Sequence, residues 1–230
     1  YVTQGIVQKE DITENGIKYI KQDGSVGYYQ TVNKTTPVAG DVKYVDRNGD
    51  GVVDDNDRDI IGNPNPDFTY GFQTKVSWKS LSLSASFNGV QGRDILNVGN
   101  RYNNTPGTKS NNVTRKAFQN MWTDENPSNL YPKSTFVVQN MVMDRYVEDG
   151  SYLRCSDITL SYILPAKWTN KIGIKNTSVY ASVKNAFVIT DYSGYDPEVN
   201  SFAFDGLRPG VDMNSYPTPR SFVFGLNLTF

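Results

Sequence analysis

The 230-residue sequence contains no histidine and a single cysteine, Cys155. Without histidine, the commonest general base and the commonest nitrogen ligand for metals are missing. One thiol can form no internal disulfide, and it cannot build a zinc or iron–sulfur centre. An excess of one charge is lacking too: 23 basic side chains face 24 acidic ones, a net charge of −1. No basic run supplies the cationic footprint of a nucleic-acid-binding protein. No stretch approaches the roughly 18 apolar residues of a membrane-spanning helix, and no N-terminal segment has the basic-then-apolar layout of a signal peptide. Helical membrane proteins and most hydrolases are thereby disfavoured. A membrane β-barrel stays open, because alternating strands keep the mean hydropathy low, here −0.52.

What is present is period-2 alternation. Phe68, Tyr70, Phe72, Val76 and Trp78 alternate with Thr69, Gly71, Gln73, Lys75 and Ser77. After a short turn at Lys79–Ser80, Leu81, Leu83, Ala85 and Phe87 alternate with Ser82, Ser84, Ser86 and Asn88, which predicts a long β-hairpin. A strand over 151–164 sets Ile158, Leu160, Tyr162 and Leu164 against Asp157, Thr159 and Ser161, with Cys155 on the polar side as an unreactive small residue. Another over 175–190 sets Val179, Ala181 and Val183 against Tyr180, Ser182 and Lys184. The last carries Phe222, Phe224, Leu226, Leu228 and Phe230, and Tyr1–Gln8 is a weaker sixth candidate.

The connections sort by length. Those near Lys79 and Pro165 are short; those over about 9–66, 93–147 and 191–218 are long, rich in Asn, Asp, Gly and Pro, and hold the one helix candidate, Val113–Trp122. Followed up and down, all short connections fall at one end of the sheet and all long ones at the other, as in outer-membrane barrels. The strand runs match the roughly 9–11 residues that cross a bilayer at a tilt. Tyr70, Trp78, Tyr162 and Trp168 lie near strand ends, where interfacial aromatics belong. About six strands cannot close a lumen, since the smallest barrels use about eight. The expected fold class is therefore all-β: the C-terminal strands of a larger transmembrane antiparallel barrel, with all of 1–230 in that barrel and its external loops. The competing reading is a secreted calcium-binding β-sandwich that binds glycans without transport.

One motif carries candidate chemistry. Asp46, Asn48, Asp50, Asp54 and Asp57 stand at positions 1, 3, 5, 9 and 12 of a calcium-loop spacing, with Gly51 at position 6 and the Val52 carbonyl at position 7. A hard cation needs six to eight oxygens from a tightly curled loop, which this spacing supplies. Position 12 is Asp rather than Glu, so bidentate closure is weaker, and an Asx-rich turn with no ion is the alternative. Tyr102, Asn103, Asn104, Trp122, Tyr192 and Tyr195 are candidates for stacking on sugars or gripping peptide. Asp196-Pro197-Glu198 has no nucleophile beside it, and no catalysis is assigned.

Four blocks carry a family resemblance: 40–72 (GDVKYVDRNGDGVVDDNDRDIIGNPNPDFTYGF), 145–164 (RYVEDGSYLRCSDITLSYIL), 185–199 (NAFVITDYSGYDPEV) and 215–230 (SYPTPRSFVFGLNLTF). In this order they resemble the C-terminal portion of the SusC/RagA-type TonB-linked outer-membrane transporters. The resemblance implies a plugged barrel of about 22 strands whose plug and TonB-contacting segment lie outside these residues. It implies active import of oligosaccharides or oligopeptides, energised by TonB–ExbB–ExbD, with a SusD-like surface lipoprotein over the mouth. It further implies outer-membrane lipid around the wall, and it leaves open a dimer of transporter–lipoprotein pairs. The class also implies that Phe230, a C-terminal aromatic on an alternating strand, is the signal read by the barrel-assembly machinery.

Overall fold

The computed structural model describes residues 1–105, 112–134, 141–169, 174, 176–198 and 200–229. In chain order its strands are β1 (Thr3–Ile6), β2 (Ile12–Thr13), β3 (Gly16–Ile20), β4 (Val26–Tyr29), β5 (Thr31–Val32), β6 (Val42–Tyr44), β7 (Val52–Val53), β8 (Phe68–Trp78) and β9 (Leu81–Gln91). They continue with β10 (Asp94–Asn97), β11 (Val147–Asp149), β12 (Tyr152–Ile163), β13 (Asn176–Thr190), β14 (Val211–Asp212) and β15 (Ser221–Thr229). Helices α1 (Val98–Asn104), α2 (Arg115–Asn120) and α3 (Ala166–Thr169) are short. Contacts divide the chain into two compact units.

One unit contains Pro64–Asp94, Asp149–Gly210 and Ser215–Phe230. Its centre is a five-stranded sheet in the order β15-β13-β12-β9-β8, antiparallel at every pairing. The order is a simple meander, so the β8–β9 and β12–β13 connections share one end and the two long connections share the other. Lys79, at φ +54, makes the tight β8–β9 turn, and its ammonium lies 4.8 Å from the Trp78 ring centroid. Strand lengths of 11, 11, 12, 15 and 9 residues suit a tilted bilayer crossing.

Register sorts the faces. Val76 opposes Leu83, Leu83 opposes Leu160, Leu160 opposes Ala181, and Ala181 opposes Phe224. This apolar face is open: Phe224 is 80%, Trp78 68% and Val76 65% exposed. A sandwich would bury these residues under a second sheet, so the arrangement is that of a wall that meets lipid. The opposite face carries Ser82, Ser84 and Ser86 opposite Ser161, Thr159 and Asp157. There the Asp157 carboxylate accepts from Thr159 Oγ1 at 2.8 Å and Ser182 Oγ at 2.7 Å, and pairs with Lys184 at 2.6 Å.

Three sequence expectations are corrected. Cys155 lies opposite Phe87 and Phe187, on the apolar face, because an irregularity leaves Ser156 as an extra residue between the Cys155–Phe87 and Asp157–Ser86 pairs. One extra residue inverts the alternation beyond it. Among the described residues the barrel-type sheet has five strands, against about six expected: the strand in 1–8 is β1, which pairs with β6 in the other unit. The helix expected over Val113–Trp122 is reduced to Arg115–Asn120, capped by Thr114 Oγ1 accepting from the Ala117 amide.

That other unit holds Tyr1–Asn63, Ile95–Glu148 and Val211–Asn214. The long segments of 9–66 and 93–147 are thus largely ordered rather than plain loops. β2-β3-β4 form a meander, β5 runs parallel to β7, and β10 lies between β11 and β14. Tyr19, Tyr29, Tyr44, Val32, Val53, Met141, Met143 and Tyr146 cluster in its core. A tyrosine-rich core suits many short strands, because each ring covers much area while its hydroxyl finds a partner. Tyr19 Oη donates to the Asp46 carbonyl at 2.7 Å, and Tyr29 Oη accepts from the Tyr44 amide at 3.1 Å. Burial drives both the Tyr29 and the Tyr44 phenol above their ordinary range.

Candidate functional site

The acidic loop leaves β6 and returns as β7. Asp46 and Asp57, its first and twelfth positions, are buried, at 2% and 0% exposure. Asp46 accepts the Gly49 amide at 2.7 Å and the Gly51 amide at 2.8 Å, one on each oxygen. Asp57 accepts Arg47 N at 2.7 Å and Asn48 N at 3.3 Å on Oδ1, and Asp54 N at 2.9 Å on Oδ2. The two carboxylates therefore do for the loop what a ladder does for a strand, pairing amides that burial would otherwise strand. Asn48 Oδ1 accepts from Asp50 N, Asp50 Oδ1 from Val52 N, and Asp54 Oδ1 from Asn56 N, three Asx turns at 2.8–2.9 Å.

Gly51 sits at φ +86, and a Cβ there would stand 2.3 Å from Gln30 Oε1. Both the left-handed backbone and the close approach require glycine. Burial, reinforced by the charges of Asp57 and Asp50 and opposed by the Gly51 and Gly49 amides, raises the Asp46 carboxyl above its usual range. The donor set suits a hard cation in kind, since every candidate ligand is an oxygen. Among the described residues, however, no three carboxylates converge as a metal centre requires. Val52 opens β7, in register with Thr31.

The six aromatic and amide candidates are divided between the two units. Tyr102 lies on α1 with the Arg101 guanidinium 5.7 Å from its ring centroid. The Asn103 carbonyl accepts from the Thr114 amide at 2.8 Å, and Asn104 Oδ1 accepts from Thr114 Oγ1 at 2.7 Å. Trp122 is buried, and its indole N–H donates to Gln8 Oε1 at 3.0 Å, which gives it a packing role. These residues belong to the first unit, whereas Tyr192 and Tyr195 belong to the sheet unit. Tyr192 is buried and Tyr195 is 69% exposed. Phe230 lies outside the described residues.

A cluster that sequence reasoning passed over lies in the sheet unit. Arg154, on the polar face of β12 and 4% exposed, pairs with Asp196 at 2.5 Å. Its Nε is 3.2 Å from Glu198 Oε2, within ion-pair reach although off the N–H axis. Arg93 donates to the Pro197 carbonyl, and Asn88 Nδ2 donates to Glu198 Oε1 at 2.9 Å. Burial alone would raise the Asp196 carboxyl, but the Glu198 and Thr218 amides, the Thr218 hydroxyl and Arg154 outweigh it and hold the group below its usual range. The triplet Asp-Pro-Glu was the visible signal. Its buried arginine partner stands 42 positions away.

A sorted meander with an open apolar face and a polar reverse defines a segment of a transmembrane β-barrel wall in the outer membrane. No family model matches the chain. It is 35% identical over 201 residues to TonB-dependent receptor P26 of Formosa agariphila, covering 84% of this chain and 20% of that protein. It is 34% identical over 194 residues to TonB-dependent receptor SusC of Bacteroides thetaiotaomicron, covering 81% of this chain and 17% of SusC. Among solved structures, the RagAB peptide importer in its closed-closed state matches 99% of this chain and 22% of that one, with a TM-score of 0.67 at 24% identity, a likeness of fold. The chain belongs to the SusC/RagA-type TonB-dependent receptors and spans about a fifth of the length of the curated relatives it matches.

Proposed function

We propose that the transporter containing this chain imports oligosaccharides or oligopeptides across the outer membrane. Uptake is energised by TonB–ExbB–ExbD through parts outside these residues and assisted by a SusD-like surface lipoprotein. The observation that carries the reading is the sheet: five bilayer-length strands with one open apolar face, every long connection at one end, in a chain a third identical to TonB-dependent receptors. The segments 9–66, 93–147 and 191–218 then belong to the external side, where a lipoprotein docks, and stable pairs of that kind bury about 2,000 Å² or more. Assembly into dimers of such pairs, and recognition of Phe230 by the barrel-assembly machinery, belong to the same proposal. The experiment is growth on a single glycan or peptide source, together with co-purification of the lipoprotein, before and after deletion of the transporter. Unchanged growth on every source and no co-purifying lipoprotein would overturn it.

Calcium on Asp46, Asn48, Asp50, Val52, Asp54 and Asp57 is a second proposal, favoured by the like charges of Asp50 and Asp57 acting on the buried Asp46. Each carboxylate oxygen that accepts one amide keeps a lone pair for an ion. Calorimetric titration of the detergent-solubilised transporter should show calcium uptake that Asp50→Asn with Asp54→Asn weakens. No binding heat at millimolar calcium would leave the amide-paired loop as the whole account.

A further inference from the structure

The segment leaving β13 at Thr190 and returning at Ser221 looks, by length and composition, like a free external loop. Its two limbs are instead tied together at one carboxylate. Asp196 Oδ1 accepts the Glu198 amide at 2.9 Å on the outgoing limb, and Asp196 Oδ2 accepts the Thr218 amide at 3.1 Å on the returning limb. The same Oδ1 takes the Arg154 guanidinium, so one side chain joins both limbs to the wall. Glu198 adds a second fastening, because its carboxylate meets Asn88 on β9 and Arg154 on β12, residues that face each other across that strand pair. Arg93 holds the Pro197 carbonyl between them. Each residue of Asp196-Pro197-Glu198 is therefore anchored separately.

Burial sharpens the consequence. Arg154 and Asp196 are both at least 96% buried, and removing one member of such a pair leaves the other charge without compensation. Beyond the tie the segment changes character: Phe204 and Leu207 are 90% and 94% exposed. We infer that Arg154, Asp196 and Glu198 form a clamp that makes the base of the 191–218 segment a fixed part of the barrel wall, leaving the tip as the part presented outward. Asp196 and Arg154 are positioning residues in this device. The inference rests on contacts within the sheet unit and is independent of what the transporter imports.

The test is hydrogen–deuterium exchange on the full-length transporter in detergent, comparing the parent with Asp196→Asn and with Glu198→Gln. Asp196→Asn should speed exchange at the Glu198 and Thr218 amides together by about tenfold or more, while the β8–β9 ladder keeps its protection. Glu198→Gln, which touches only the rim fastening, should give a smaller change in the same direction around 196–198. Unchanged exchange at both amides in Asp196→Asn overturns the clamp, as does a change at only one of them. Should Asp196→Asn fail to insert, Glu198→Gln decides: faster exchange around 196–198 with the β8–β9 ladder still protected supports the clamp, and unchanged exchange there overturns it. Failure of both to insert would make the cluster part of barrel formation and would also overturn a device confined to the segment.

Discussion

Two buried carboxylates, one in each unit, sit in opposite electrostatic situations. Asp46 is raised by burial and by the neighbouring charges of Asp57 and Asp50. Asp196 is lowered, because its amide partners and Arg154 outweigh burial. Linkage gives these shifts opposite signs. The contribution of Asp46 to stability is complete below the unfolded carboxylate value of about 3.9 and declines as pH rises through its higher folded value. That of Asp196 is complete above the unfolded value and is lost as pH falls through its lower folded one. Amide exchange corrected for intrinsic rates should show the Gly49–Gly51 turn tightening on mild acidification while the Thr218 amide stays protected, and Asp46→Asn should abolish the first effect. Asp57 holds three amides. Asp57→Ala should therefore cost about 1–3 kcal/mol for each buried donor left unpaired, read as lost protection at 46–57. The acidic spacing was legible in the sequence. That its buried members spend themselves on backbone amides was not, since a linear pattern does not say which way a carboxylate turns.

Alternation in the strands was legible almost residue by residue, because a side-chain period of two is a local property of the backbone. It failed at one point, the irregularity at Ser156, where two partner strands and not the sequence of β12 decide that Cys155 turns to the apolar face. The face assignment is open to direct test. Leu226 opposes Val179 on the apolar side. Leu226→Arg should destabilise the inserted barrel by about 2–4 kcal/mol if it lies near the bilayer midplane, whereas Ser84→Asn on the other face should cost little. Equal effects in urea titrations of vesicle-inserted protein would overturn the face assignment. Gly225 shows the same dependence on a partner, since a Cβ there would stand 2.2 Å from the ring of Tyr180, its directly opposed residue.

In the whole molecule, the segments that composition marks as loops contain a second packed unit. Tyr44 is 2% exposed, 6.3 Å from Tyr1 between ring centroids and 3.6 Å from Met143 Sδ through its hydroxyl. Tyr44→Ala should open a cavity costing about 3–5 kcal/mol, the range for large aromatic deletions. Limited proteolysis should then cut within 1–63 and 95–148 while the sheet of β8, β9, β12, β13 and β15 stays inserted.

By itself the sequence determined the strand period, the apolar face of the sheet, the sorting of long and short connections and the family, all of which are local patterns or their order along the chain. Only the tertiary structure decided that β1 leaves the sheet for β6, that the long segments of 1–63 and 95–148 share a tyrosine core, and that Arg154 closes on Asp196. The physical reason is range. Alternation is imposed by adjacent residues, whereas a core or a buried ion pair forms only when segments far apart in sequence exclude water together.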